Sequence, residues 1–598
     1  MGNKHKQLIE SDRSIDRKLV SKAYKWYEKR VWNRTIVEIY LQNKVVQELS
    51  PKDKFLGGFG GESRKVGLHD IVQSLEQAAR DGRVGAVIIR LGETRMSYAQ
   101  AEEIREAIRR FRAATSDRKP VAAWADSYDG ITYYVASACS RVFLAQCGDL
   151  DFSGVRLDVF FVKNMLQKLG IDKQIEQRKE YKNAANMFNE EEFTDAHREV
   201  SESLVRSIHE QVLHDIAADR KIPQDDLERT LDAAPLVAQK ALEANLVDEL
   251  AYRDAAYEKL AMAAFGSPSL AKVNLLFAEK YLDKRGRDYD RKKGKHRIAV
   301  IDCLGQVARS ESQSHGGGGL LGAETTCRAI RAACKDKKVS AILLRVDSPG
   351  GSYIGSDLIW NEVEQAKKAG KKVVVTMGQL AASGGYYISC AADRIVAANL
   401  TLTGSIGVYG GKVITPEMWK KLGVTFDGVK AGQNATFHSS LHRFSESELA
   451  LLNAWLDRVY QDFLSKVSRG RGMTLEQVES VARGRIWTGK QAKQAGLVDE
   501  IGGFSRALAV AKQISGIPET EPVQLVYPAR IKTFAQFLKH RKASNTDSVS
   551  ANPAGIGSAI AALESASIFL APAIRILSSI SSSVDSHVLS NSSTAAFE

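Results

Sequence analysis

Two apolar runs set the pattern of the chain. From Val84 it reads VGAVIIRL, and from Val339 it reads VSAILLRV, each a short apolar stretch closed by an arginine, Arg90 or Arg345. Such runs predict strands buried on both faces. After the second run, a helical segment is predicted near Ser356 to Lys368 and a further strand over Lys372 to Met377. Apolar strands alternating with helical segments predict an α/β fold with a largely parallel sheet.

The pattern occurs twice. KPVAAWADSYDGITYYVASACSRVFLAQ from Lys119 aligns without gaps on KVVVTMGQLAASGGYYISCAADRIVAAN from Lys372, a spacing of 253 residues that sets Tyr133 and Tyr134 on Tyr386 and Tyr387 and Arg141 on Arg394. The register holds through LQKLGI at Leu166 and WKKLGV at Trp419, and EANLVDEL at Glu243 matches QAGLVDEI at Gln494. Self-similarity of this length, present only twice, predicts two tandem homologous domains rather than a solenoid. Their expected limits are 35–264 and 297–523, joined by a charged linker over 265–296 that contains KRGRDYDRKKGKHR.

Composition narrows the class. A chain of 598 residues with 44% hydrophobic and 26% charged residues is neither a membrane bundle nor disordered. The net charge of +13 is clustered in Lys18 to Arg34 and Lys284 to Arg297. Few aromatics interleave with the basic linker, so no nucleic-acid partner is expected. Six cysteines without a CxxC pair predict mostly buried thiols and no metal site. No cleavable signal peptide or clear spanning helix is seen. The segment 1–34 instead carries KLVSKAYKWYEKRVW, in which Leu19, Ala23, Trp26, Tyr27 and Val31 share a helical face opposite Lys18, Lys22, Lys25, Lys29 and Arg30. Such a helix can lie on an anionic bilayer or pack on its own domain. The tail over 524–598 is Ser/Ala-rich, and its most apolar run is interrupted by Glu564, Pro572 and Arg575.

The candidate chemistry lies in the second domain. DSPGGS at Asp347 to Ser352 and LAASGGYY around Ser383 each set a glycine pair directly after a predicted strand. Adjacent backbone N–H groups in such turns can converge on one oxygen, as an oxyanion hole requires. Ser383, before Gly384 and Gly385, is placed at the carboxyl end of the sheet, where α/β folds hold their ligands. A serine needs a base. No histidine sits in a comparable glycine-rich turn, which leaves a lysine of lowered pKa as the alternative. Any single lysine is far more often a solvated surface side chain.

DSPGGS, LAASGGYYIS, LTGSIGVYG and GRIWTGKQAKQAGLVDEIGGF together resemble the signal peptide peptidase A family, also called protease IV, in its long duplicated form. The likeness covers about Thr35 to Val523 and is closer in the second half. It implies a crotonase-like, Clp protease-like fold and a serine endopeptidase with Ser383 as nucleophile. The family's base maps, through KEYKNAANMF in the first copy, to Lys182, with Lys179 as competitor and Asn183 where the family often has serine. Ser405 of LTGSIG corresponds to the serine that holds the lysine amine. Gly351 and Gly384 are the expected oxyanion donors, with Gly350 assisting the turn. At the 253-residue spacing Ser383 falls on Gly130 and Lys182 on Ala435, so each copy keeps one member of the dyad.

The resemblance further implies peptide substrates, among them cleaved signal peptides and short or unfolded apolar segments, and no cofactor. It implies a ring-like homo-oligomer, such as a tetramer, associated with a membrane peripherally or through partners; a cytoplasmic location is compatible with the sequence. Two rivals predict different behaviour. A crotonase-type acyl-CoA enzyme would bind CoA and depend little on Lys182, and a catalytically silent membrane scaffold would assemble without covalent labelling.

Overall fold

A computed structural model describes residues 34–42, 45–46, 66–285, 294–312 and 319–528. All of the basic segment expected over 1–34 except Arg34, and nearly all of the tail expected over 524–598, lie outside the described residues. Among the described residues no helix is long and apolar enough to cross a membrane.

The first half holds six parallel strands: β1 (Thr35–Leu41), β2 (Val84–Leu91), β3 (Val121–Ala125), β4 (Arg141–Leu144), β5 (Glu249–Leu250) and β6 (Asn274–Phe277), in the spatial order β5-β4-β3-β2-β1-β6. Helices of this half include α1 (Leu68–Arg80), α2 (Tyr98–Thr115), α3 (Gly130–Ser137) and α4 (Asp195–Arg220). Successive residues of a strand point to opposite faces. Val87 and Ile89 of β2 accordingly join the core beneath α1 to α3, while Ala86 and Ile88 pack on the other face with Tyr257 and Leu260 of the helix Arg253–Phe265. Burial on both faces explains why VGAVIIRL reads as a nearly continuous apolar run.

The linker expected over 265–296 is corrected by β6 and by α5 (Ala278–Arg285). Strand β6 pairs with β1, and Leu276, Tyr281 and Leu282 are buried. Apolar residues spaced along NLLFAEKYL thus close the edge of the first sheet, and only the charged run beyond them can be linker.

The second half repeats the plan with β7 (His296–Leu304), β8 (Val339–Ser348), β9 (Lys372–Ala382), β10 (Arg394–Ala397), β11 (Glu500–Ile501) and β12 (Val523–Val526). Their order, β11-β10-β9-β8-β7-β12, again wholly parallel, is that of the first sheet strand for strand. Helices α6 (Ala323–Lys335), α7 (Tyr353–Lys368), α8 (Gly384–Ser389) and α9 (Glu446–Arg471) cover one face, and α10 (Phe504–Ile514) covers the other. Strand β9 shifts register on β8 between Val346 and Ser348, where Ser348 pairs with Ala381, and on its other edge its last residues, Leu380–Ala382, pair with Leu402–Gly404.

Two contacts between the halves position the site. Asp172–Gln177 leaves the first half and pairs antiparallel with Tyr409–Ile414 of the second, carrying the following residues across. On α2, the Glu102 carboxylate accepts from the Asn399 and Leu400 amides at 3.0 and 2.9 Å and from Asn399 Nδ2 at 2.7 Å. Burial pushes the Glu102 pKa up to about 7, against the lowering effect of those hydrogen bonds.

Candidate active site

Ser383 stands between β9 and α8 with φ +53° and ψ −118°, a conformation that L-residues rarely adopt. The turn is held because the Ser383 amide donates to the Gly404 carbonyl at 2.9 Å. A sharp, strained strand-to-helix turn of this kind lifts a serine hydroxyl out of the sheet.

The Gly350–Gly351 turn lies against it. Their φ values are +98° and +144°, and a Cβ on Gly350 would come within 2.6 Å of the Gly384 nitrogen and 2.8 Å of Ser383 Cβ. Only glycine permits that approach. The Gly350 amide donates to Ser348 Oγ at 3.2 Å. On the neighbouring edge Val307 takes the Gly350 carbonyl, at 2.8 Å, and the Ser352 amide, at 2.9 Å. The Gly351 N–H therefore points away from Val307, and the Gly384 N–H belongs to the first turn of α8, where amides have no intrahelical acceptor. These two donors can face a common oxyanion, while Gly350 shapes the turn.

The lysine arrives from the other half. Beyond the crossing strand, the Arg178 amide donates to the Val408 carbonyl at 2.9 Å and the Tyr181 amide to the Arg483 carbonyl at 3.2 Å, which fixes the residues leading into Lys182 on the second half. Lys182 is 3% exposed. Its Nζ donates to Ser405 Oγ at 2.8 Å and to the Ser405 carbonyl at 2.9 Å. Ser405 directly follows Gly404, whose carbonyl anchors the Ser383 amide, so consecutive residues hold the two members of the expected dyad. Burial brings the Lys182 pKa down from 10.5 to about 7. A neutral amine has two N–H bonds and one lone pair. With both N–H bonds spent on Ser405, the lone pair is left to accept a hydroxyl proton.

Lys179 occupies a different setting, half-exposed and paired with Glu479 at 2.9 Å. Asn183 opens a short 3-10 turn, and its Oδ1 accepts from Asn186 at 3.4 Å. Two residues escaped the sequence reading. A Cβ on Gly484, φ +84°, would lie 2.5 Å from the Lys182 nitrogen, and one on Gly407 would lie 3.2 Å from Lys182 Cδ. Both sit within the motifs GRIWTG and LTGSIGVYG, which was the available signal.

A model of peptidase family S49 matches residues 113–265 and 365–517, one stretch in each half. Protease 4 of Haemophilus influenzae is 32% identical over 473 residues, covering 77% of this chain and 75% of its own. Protease 4 of Salmonella typhi is 33% identical over 474 residues, with 77% and 74% covered. The chloroplastic serine protease SPPA of Arabidopsis thaliana is 28% identical over 512 residues, with 86% and 73% covered. Among solved structures, a ClpP1 mutant from Listeria monocytogenes is 16% identical and covers 38% of this chain and 98% of that chain at a TM-score of 0.24. The chain belongs to peptidase family S49, and it is a crotonase-like serine peptidase of the protease IV and signal peptide peptidase A kind with the family domain present in each half.

Proposed function

We propose that the chain is an endopeptidase working through an acyl-enzyme, with Ser383 as nucleophile and neutral Lys182 as general base. Ser383 Oγ bonds to the scissile carbonyl carbon while its proton passes to the Lys182 lone pair. The carbonyl oxygen, now carrying the negative charge, accepts from the Gly351 and Gly384 amides. Collapse breaks the C–N bond, and the Lys182 ammonium returns its proton to the leaving amine. Water then adds to the acyl-serine by the same route, giving the acid and restoring Ser383. The observation that carries this reading is the buried amine on two Ser405 oxygens, beside the residue that anchors Ser383.

The substrates we propose are cleaved signal peptides and other short or unfolded apolar segments, with an apolar side chain before the scissile bond, met at a membrane surface that the protein contacts peripherally or through partners. The test is hydrolysis of peptide esters and unfolded proteins by the purified chain and its Ser383→Ala, Lys182→Ala and Lys179→Ala variants. Activity should vanish in the first two and persist in the third. Full activity in Lys182→Ala would remove the base from the mechanism, and full activity in Ser383→Ala would remove the mechanism.

A further inference from the structure

Two helices begin at the turns that carry the expected oxyanion donors. Ser352, directly after Gly351, caps α7, and Ser383 and Gly384 open α8. Each helix has a tyrosine close behind its turn. Tyr353 is the first residue of α7, and Tyr387 of α8 donates its amide to the Ser383 carbonyl at 2.9 Å. The two rings meet edge to face with centroids 6.0 Å apart.

Both hydroxyls end on one oxygen of α9. Asp462 Oδ2 accepts from Tyr353 at 3.0 Å and from Tyr387 at 2.5 Å. Lys466 Nζ, one helical turn further on, donates to the same oxygen at 3.0 Å, to the Tyr387 hydroxyl at 2.6 Å and to Asp357 of α7. Burial acts to raise the Asp462 pKa, but the hydrogen bonds from Tyr387, Lys466 and Tyr353 outweigh it and hold the carboxyl below its ordinary value. Asp462 is thus an ionised acceptor shared by the two helices, and the ammonium ties it to both.

The clasp is not a demand of the fold. The first half has the same sheet order and keeps both tyrosines, as Tyr98 and Tyr134 with centroids 6.1 Å apart. Aligning α2 on α7 and α4 on α9, each from its first residue, sets Glu102 at the position of Asp357, Gln211 at that of Asp462 and Asp215 at that of Lys466. There Tyr134 donates to Asp215 at 2.5 Å, and Glu102 serves the contact with Asn399 and Leu400 instead. The same alignment sets Arg95 and Met96 at the positions of Gly350 and Gly351. The trio Asp357, Asp462 and Lys466 therefore occurs in the half that has the glycine turns and is replaced in the half that lacks them.

We propose that Asp462, clasped by Lys466, is a positioning residue of the oxyanion hole: by holding the Tyr353 and Tyr387 hydroxyls on one oxygen it fixes α7 against α8, and with them the separation of the Gly351 and Gly384 N–H groups. The proposal rests on the acyl-enzyme reading above, in which those two groups face the same oxyanion. The tolerance is small. A Cβ on Gly384 would lie 3.2 Å from the Gly351 nitrogen and 2.5 Å from Ser356 Oγ of α7, so the turns are packed backbone on backbone and a slide of one helix displaces a donor. Charge develops on the oxygen only in the transition state, so a displaced donor lowers kcat and spares substrate binding.

The test is steady-state hydrolysis of a peptide ester by the full chain, with kcat taken per Ser383 titrated to completion by a fluorophosphonate, and inhibition by the matching peptide aldehyde. Aldehyde addition forms the bond from Ser383 Oγ to the carbonyl carbon, passes the serine proton to Lys182 and leaves the former carbonyl oxygen as the oxyanion. Asp462→Ala should lower kcat about tenfold or more with KM held within about twofold, and should weaken the aldehyde by the same factor as kcat. Tyr353→Phe should lower kcat about threefold alone and no further in the Asp462→Ala background, because both act through one carboxylate. Tyr134→Phe, which removes the matching hydroxyl from the first half, should leave kcat per titrated site unchanged. An unchanged kcat in Asp462→Ala, a loss carried by KM alone, additive losses in the double variant, or an equal loss in Tyr134→Phe would overturn the proposal. If Asp462→Ala does not fold, Tyr353→Phe decides, and an unchanged kcat there refutes the clasp. Hydrolysis that survives Ser383→Ala overturns the acyl-enzyme reading, whereas a chain that depends on Ser383 but not on Asp462 overturns this proposal alone.

Discussion

Lys182→Met should abolish hydrolysis and at the same time stabilise the fold at neutral pH. The folded chain holds this amine at a pKa of about 7 where its ordinary value is 10.5, because burial disfavours the charged form. A group whose folded pKa is lowered in this way binds fewer protons in the folded state than in the unfolded state between pH 7 and 10.5. Stability therefore rises with pH across that window, the whole penalty being present below pH 7 and none above 10.5. Linkage puts the penalty at about 4 kcal/mol at pH 7 and about 2 kcal/mol at pH 9. Methionine fills the channel without charge but forfeits the two hydrogen bonds to Ser405, a loss of about 1–2 kcal/mol at either pH. Urea unfolding followed by tryptophan fluorescence should find Lys182→Met more stable than wild type by about 2–3 kcal/mol at pH 7, with the gain shrinking by about 2 kcal/mol at pH 9. The same pKa predicts an acid limb in kcat/KM, since the neutral fraction falls about fivefold from pH 7 to pH 6. A stability difference that does not change between pH 7 and 9 would refute the claim that the buried amine is neutral near pH 7.

Three further outcomes follow from the same geometry. Gly384→Ala places a Cβ 2.5 Å from Ser356 Oγ and 3.2 Å from the Gly351 nitrogen, and should lower kcat by about a hundredfold or more with little change in KM, the signature of a lost oxyanion donor. Gly484→Ala drives a methyl into the Lys182 backbone at a φ of +84°; peptide ester hydrolysis should fall at least as far, while circular dichroism keeps its helix and strand content. Glu102→Gln should flatten one pH limb of stability: the Glu102 pKa, raised to about 7 from 4.5, makes its contribution fall as pH rises through that window, and urea midpoints at pH 5 and 7 read the change.

The duplication was legible because it is written in residues that backbone geometry constrains. Tyr133, Tyr134, Tyr386 and Tyr387 are buried against their sheets, and the glycines at 350, 351 and 384 lie where a side chain would strike backbone or a neighbouring oxygen. The crossing strand was not legible. DKQIEQ has a single aliphatic residue and no run to mark a strand, because its ladder partner comes from the other half and most of its side chains stay partly in water. Strand β6 and helix α5 were read as linker since NLLF is short and adjoins a charged run; what makes it a strand is the free edge of β1. Lysine 182 posed the same difficulty more sharply. Nothing in KEYKNAANMF distinguishes Lys182 from Lys179 except family likeness, and the distinction arises only when Gly407 and Gly484 leave a channel for one lysine while Glu479 holds the other at the surface.

The expected dyad is therefore a property of a junction between domains, not of either domain. Ser383 depends on the Gly404 carbonyl within its own half, and Lys182 depends on the crossing strand, on the Arg483 carbonyl and on Ser405, all contributed by or paired with the second half. A single ancestral domain could supply both chemistries to its neighbours only by carrying both residues, one at each face. Once two copies share a chain, each junction needs one serine and one lysine, and a copy that loses the residue facing the other junction costs the internal site nothing. Gly130 packed on Phe152 and Ala435 in place of the lysine are what that freedom leaves behind. Restoring the lost pair would then take more than Gly130→Ser and Ala435→Lys. Phe152 would have to shrink as well, because a Cβ on residue 130 comes within 2.7 Å of its ring.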